Sequence, residues 1–210
     1  MALSPEPGPS DVWADVSERL RQARTAKGLT LRALAGGIGV SPSLISQIET
    51  GKVKPSINTL YALAVELDIS VDEILFGALG QNTSPPLRDT EPFVGVQRAG
   101  ARATVELASG VTWERLTGAS EAGIDFLYLT YEPGSQSVPS DSAHRHAGRE
   151  WGYVISGTLE VEVEGARHRL QAGDSIAYFS SDTHRLFNPG DEDMRAVWFI
   201  LGRRGGFPAA

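Results

Sequence analysis

The chain has 210 residues, 41% of them hydrophobic and 21% charged, and carries a net charge of −7. That is the make-up of an ordinary globular protein with room for one or two cores. It contains no cysteine, so disulfides and thiolate metal sites are excluded, and no apolar run approaches the ~20 residues that span a bilayer.

Residues 1–10, MALSPEPGPS, lack the basic start and apolar core of a secretory signal. They read as a disordered leader, and the cytoplasm is the expected location. Residues 11–77 then show helical periodicity. Val12, Val16, Leu20 and Ala23 fall on one helix face. Thr30 is an N-cap for a helix over Leu31–Gly36, and Ser41 followed by Pro42 is a second strong start. Pro55-Ser56 opens a fourth helix with Ile57, Leu60, Leu63, Ala64 and Leu67 on its buried face. Ser70 caps a short fifth helix ending near Phe76.

Charge is segregated. From Arg19 to Lys54 there are seven basic residues (Arg19, Arg21, Arg24, Lys27, Arg32, Lys52, Lys54) and one acid, Glu49, a balance of +6 that leaves −13 on the rest. A small basic face on an acidic protein is the electrostatic signature of a nucleic-acid-binding element.

Residues 78–94, rich in Gly, Pro, Ser and Thr, read as a linker. The period then becomes two over residues 95–202. Strands are expected over Ala101–Ala108, Val111–Leu116, Ile124–Tyr131, Trp151–Ile155, Leu159–Val163, Arg167–Leu170, Ser175–Phe179, His184–Phe187 and Arg195–Leu201. Many short strands separated by Gly and Pro turns mean a sandwich or barrel. Residues 203–210 form a loose tail.

The most informative residues are His144, His146, Glu150 and His184, which take three of the four histidines in the chain. On a strand His144 and His146 point to one face. Three imidazoles and a carboxylate suit a borderline divalent metal: Zn, Fe, Ni, Mn or Cu. A metal-free polar cluster that holds a ligand directly is the alternative, since an isolated His or Glu inside a barrel is costly. His168 reads as a surface residue. Tyr128, Tyr153, Tyr178 and Trp198 are candidate effector-pocket residues as well as candidate core. Arg145 and Arg149 flank the ligand positions and are candidates for recognising an anionic ligand.

The stretch over residues 31–50, with small Ala35, Gly39 at the turn and apolar Leu34, Ile38, Val40, Ile45 and Ile48, resembles the lambda-repressor-like (XRE) helix-turn-helix family. Glu49-x-Gly51 and Lys54-Pro55-Ser56 fit the same family. The resemblance implies that the helix starting at Ser41 enters the major groove of double-stranded operator DNA. Pro42, Ser43, Ser46 and Gln47 would meet bases, with Gln47 able to bond an adenine edge bidentately. Arg32, Lys52 and Lys54 would meet phosphates, and Arg24 and Glu49 would pair as a structural salt bridge. A homodimer on a pseudo-palindromic site is expected. A helical interaction module with a solvated basic face is the bland alternative.

The strand half resembles the cupin family. Gly134, then His144-x-His146-x3-Glu150-x6-Gly157, follows its first motif, and Gly173-x5-Phe179-x-Ser181-x2-His184-x3-Asn188 its second. Phe179 and Ser181 depart from the usual Pro and Gly, and the gap from Gly134 to His144 is long. The expected fold is an all-α five-helix helix-turn-helix domain followed by an all-β cupin (double-stranded β-helix) barrel. The expected function is sequence-specific transcriptional regulation, with the cupin domain binding a metal, a small-molecule effector, or both. The competing reading is enzymatic. His146, Glu150 and His184 alone form the two-His-one-carboxylate set of non-haem iron oxygenases, and the layout is also similar to hydroxypropylphosphonic acid epoxidase.

Overall fold

A computed structural model describes residues 9–69, 71–77, 95–107, 109–118, 123–138 and 145–202. The expected leader (apart from residues 9 and 10), the expected linker and tail, Ser70 and His144 lie outside the described residues. The chain divides into two compact units, the first ending at Gly77.

The first unit holds five helices: α1 (Pro9–Ala26), α2 (Leu31–Ile38), α3 (Pro42–Glu49), α4 (Ile57–Leu67) and α5 (Val71–Phe76). Local chemistry sets their starts. The Thr30 hydroxyl accepts from the Ala33 N–H at 3.0 Å, and the Ser41 hydroxyl accepts from the Leu44 N–H at 3.1 Å. Each cap satisfies one of the orphan donors at a helix N-terminus. Pro42 occupies the first turn of α3, where its missing N–H costs nothing. Gly39 closes α2 in the left-handed region, φ 73°, and turns the chain into α3.

The helical core is built from Val16 and Leu20, Leu34 and Ala35, Ile45 and Ile48, Leu60, Leu63 and Leu67, with Ile74 and Leu75 from α5. Each fully buried aliphatic side chain contributes roughly 1.5–3 kcal/mol. Arg19, counted at first in the basic face, instead donates to the Ile74 and Leu75 carbonyls at 2.8 Å each. It satisfies the open C-terminal end of α5 and ties that helix to α1.

The second unit is a barrel-like β structure of nine strands among the described residues. These are β1 (Thr104–Leu107), β2 (Val111–Arg115), β3 (Ile124–Tyr131), β4 (Arg149–Ser156), β5 (Thr158–Val163), β6 (Ala166–Gln171), β7 (Ser175–Phe179), β8 (His184–Phe187) and β9 (Met194–Leu201). One sheet has the order β1-β2-β3-β9-β4-β7 and the other β6-β5-β8. Every described pairing is antiparallel. Alternation is regular on β3 and β9: Asp125, Leu127, Leu129 and Tyr131 are buried, as are Met194, Ala196, Trp198 and Ile200. Residues on β6 are exposed apart from half-buried Leu170, and Arg167 there pairs with Glu160 and Glu162 of β5.

One segment departs from expectation. His146 is not on a strand; it lies in the stretch leading into β4, while Glu150 is on β4 itself. The stretch is held by cross-links rather than a ladder. The His146 N–H donates to the Ser180 carbonyl at 2.8 Å, and the Ser180 N–H to the Gly148 carbonyl at 3.0 Å. Gly148 has φ 118°, and a Cβ there would sit 2.6 Å from the Leu201 carbonyl oxygen, so only glycine passes.

Candidate functional site

The centre of the β unit collects side chains from both sheets. Glu150 comes from β4, Tyr178 from β7, Trp198 from β9 and His184 from β8, and His146 enters from the segment before β4. His146 Nε2 lies 3.0 Å and His184 Nε2 3.2 Å from Glu150 Oε1. Glu150 is 3% exposed and His184 1%. The other carboxylate oxygen, Oε2, accepts from Tyr178 Oη at 2.8 Å and from Trp198 Nε1 at 2.6 Å.

The outer nitrogens decide the tautomer. His146 Nδ1 is 2.9 Å from the Ala147 carbonyl and His184 Nδ1 2.8 Å from the Asp182 carbonyl. A carbonyl only accepts, so both Nδ1 atoms carry the proton. In the neutral rings each Nε2 then turns its lone pair toward the carboxylate. That arrangement is favourable only with a cation among the three atoms: protons on Nε2, or a metal ion. His146, Glu150 and His184 present ligand atoms within 4.8 Å of one another, so the donor set fits a borderline divalent ion.

Burial acts to raise the Glu150 pKa. The hydrogen bonds and charges of His146 and His184 outweigh it and hold the carboxyl well below the usual carboxylate range. A folded-state pKa below the unfolded one adds stability above the unfolded value, near 4.3, and that stability is lost as pH falls through the folded value. In chelator-treated protein, the urea midpoint of wild type over Glu150→Gln is expected to narrow as pH drops below about 4.3. A gap that stays constant down to pH 2 contradicts this ionisation state.

The other predicted residues separate by face. Tyr178 and Trp198 are buried on the inner side beside Glu150, with ring centroids 6.5 Å apart. Tyr153 is 50% exposed on the opposite face of β4, and Tyr128 likewise alternates with the inward residues of β3 and lies under the Arg102 guanidinium. Arg145 is exposed. Arg149 faces outward, stacked on Trp151 and Phe179 at 5.0 and 5.3 Å. His168 is exposed, as expected. Asn188, from the second motif, is structural: its amide donates to the Tyr131 and Glu192 carbonyls and orders the turn before β9.

One residue has no place in the motif reading. Gly152 sits on the inner face of β4, where an added Cβ would fall 2.0 Å from Trp198 Cζ3. A glycine inside a strand run was the available signal, because such a glycine marks close approach.

In the helical unit, α3 is clamped at its C-terminal end. Arg24 meets Glu49 through two bonds of 2.6 and 2.9 Å and also donates to the Leu29 carbonyl at 2.7 Å. The Ser17 hydroxyl donates to the Ile48 carbonyl at 2.7 Å. Pro42 and Ser43 are exposed, and Ser46 and Gln47 half-buried. The Gln47 amide nitrogen rests on the Ser43 hydroxyl at 3.1 Å. Arg32, Lys52 and Lys54 are exposed, Lys54 lying 5.7 Å over the Trp13 ring. Arg19 and Arg24 are committed inside the fold, so the basic face is smaller than the charge count implies.

A chain built this way carries a helix-turn-helix domain followed by a cupin domain. Residues 20–74 match the helix-turn-helix family model and residues 127–200 the cupin domain model. The chain is homologous to the HTH-type transcriptional regulator PuuR of Escherichia coli (strain K12), with 29% identity over 181 residues, 85% of this chain and 90% of that one. It is 23% identical over 179 residues to the HTH-type transcriptional regulator SutR of the same organism, again over 85% and 90%. The crystal structure of an HTH_3 family transcriptional regulator from Vibrio cholerae shares the fold, with a TM-score of 0.67, 22% identity, and coverage of 96% of this chain and 100% of that one. No helix among the described residues is long and apolar enough to cross a membrane.

Proposed function

We propose that the chain is a DNA-binding transcriptional regulator whose cupin domain holds a divalent metal ion and, at that centre, a small-molecule effector. The observation that carries the sensor half is the convergence of two imidazole Nε2 atoms on one buried carboxylate oxygen. His146, Glu150 and His184 would hold the ion, with His144 as a fourth candidate ligand. When bound, the ion supplies a Lewis-acidic anchor for an oxygen or nitrogen donor of the effector. Burial by Tyr178 and Trp198 keeps that donor in a low-dielectric site, where its charge is felt strongly.

The DNA half rests on the capped and clamped α3, which presents Pro42, Ser43, Ser46 and Gln47, with Arg32, Lys52 and Lys54 for phosphates. Two copies on a pseudo-palindromic site would double these few contacts. The effector then acts by favouring one spacing of the two reading helices.

Mobility-shift assays on DNA from upstream of the chain's own gene and its neighbours test this. Gln47→Ala is expected to weaken specific binding about 10–100-fold. Lys52→Ala is expected to weaken all sequences alike and lower the salt slope by about 1. Unchanged binding in both variants removes the readout assignment. Iron-dependent oxygen uptake with turnover of a substrate would favour the enzymatic reading instead.

A further inference from the structure

We propose that Tyr178 and Trp198 are positioning residues that make Glu150 a one-oxygen metal ligand, and that Gly152 is the seat that lets Trp198 do so. This rests on the metal reading above. Oε2 of Glu150 accepts two donors, Trp198 Nε1 at 2.6 Å and Tyr178 Oη at 2.8 Å, which occupy both of its lone pairs. Oε1 is turned to the two imidazole nitrogens. The carboxylate is therefore fixed in rotation, with one oxygen for the ion and one for the protein.

The clamp reaches both kinds of ligand. The Tyr178 ring also lies against His184, with centroids 5.0 Å apart, so one side chain bears on the carboxylate and on an imidazole. Both clamp residues are buried, at 8% and 2% exposure. Their donors are held in place by packing rather than by solvent.

Gly152 completes the arrangement. A Cβ at this position would lie 2.0 Å from Trp198 Cζ3 and 2.3 Å from Cη2, so the indole occupies the volume a side chain would need. Glycine in a strand interior weakens the strand, and its presence at the middle of β4 fits the need for this close approach. Any larger residue at 152 displaces the ring that carries the short bond to Oε2. Freed of both donors, the carboxylate can rotate and offer the ion two oxygens, which changes the coordination number and hence the preference among metals.

The test uses the full chain, stripped with chelator and titrated with Co²⁺ against a competing chelator, read by visible absorption. Wild type is expected to bind one equivalent. The Tyr178→Phe/Trp198→Phe double variant is expected to bind about 10–100-fold more weakly, with an altered d–d band. Gly152→Ala removes no donor, yet should shift the same band in the same sense. Tyr178→Phe alone keeps the ring and gives a smaller shift of the same kind where the double variant fails to fold, as judged by far-UV circular dichroism. A wild type that binds Co²⁺ beside folded variants with unaltered affinity and band overturns the clamp alone. A wild type that binds no Co²⁺ overturns the metal reading itself.

Discussion

On the metal-binding function proposed above, replacing Glu150 by alanine is expected to abolish metal binding, and it is expected to destabilise the cupin domain even without metal. The substitution removes the carboxylate oxygen that accepts from both the Tyr178 hydroxyl and the Trp198 indole N–H, two buried donors. Removing the acceptor of a buried donor costs about 1–3 kcal/mol, so a loss of up to about 6 kcal/mol follows for the chelator-treated protein. Glu150→Gln separates the two effects. It returns an acceptor oxygen to both donors but no charge to the imidazoles, so the stability owed to the two donors should recover, while the part owed to the carboxylate charge, and the metal, should not. Elemental analysis and urea denaturation of the three proteins check this. Full metal content in either variant would remove Glu150 from the ligand set.

A comparably large effect is expected at Arg24, which is not among the residues proposed to meet DNA. The Arg24–Glu49 pair is bidentate, with side chains only 13% and 5% exposed. Arg24→Ala leaves the Glu49 carboxylate buried without its partner and the Leu29 carbonyl without its donor. Breaking a buried pair from one side costs about 3 kcal/mol or more. Arg24→Lys keeps the charge but not the planar fork, so it should fall between. DNA binding should decline with stability, because Glu49 is the last residue of α3. Denaturation followed at 222 nm measures the loss, and a change under about 0.5 kcal/mol would show that the pair is a surface contact in energetic terms.

What the sequence discloses is what short-range chemistry determines. Thr30, Ser41 with Pro42, and Gly39 mark helix ends because caps and left-handed turns are set by neighbouring residues. The strands over Ile124–Tyr131, Ser175–Phe179 and His184–Phe187 occur as expected, because alternation is a local property. The first strand is shorter than Ala101–Ala108, beginning at Thr104, after a short 3-10 turn over Ala99–Ala101.

Long-range partners are what the spacing hides. Arg19 looks like any basic residue until the end of α5 lies beside it. His146, which on a strand would share a face with His144, lies instead in a segment whose bonds go to the end of β7. Tyr153 stands at an odd distance from Glu150 along β4, so its outward face could have been read from parity alone. Tyr128 could not, since its face depends on the register of β3 with β9, Leu127 opposite Trp198.

The exposed edge strand β6 has a bearing on how molecules of this protein avoid each other. Among the described residues no strand pairs with its edge away from β5, and an open edge is a template for strand addition. Antiparallel self-pairing centred on His168 would set Arg167 of one molecule opposite Arg169 of the next. Like charges placed so closely are repulsive. The strand thus guards its own open side, and crowding in a concentrated solution meets a charged fence there rather than a zipper.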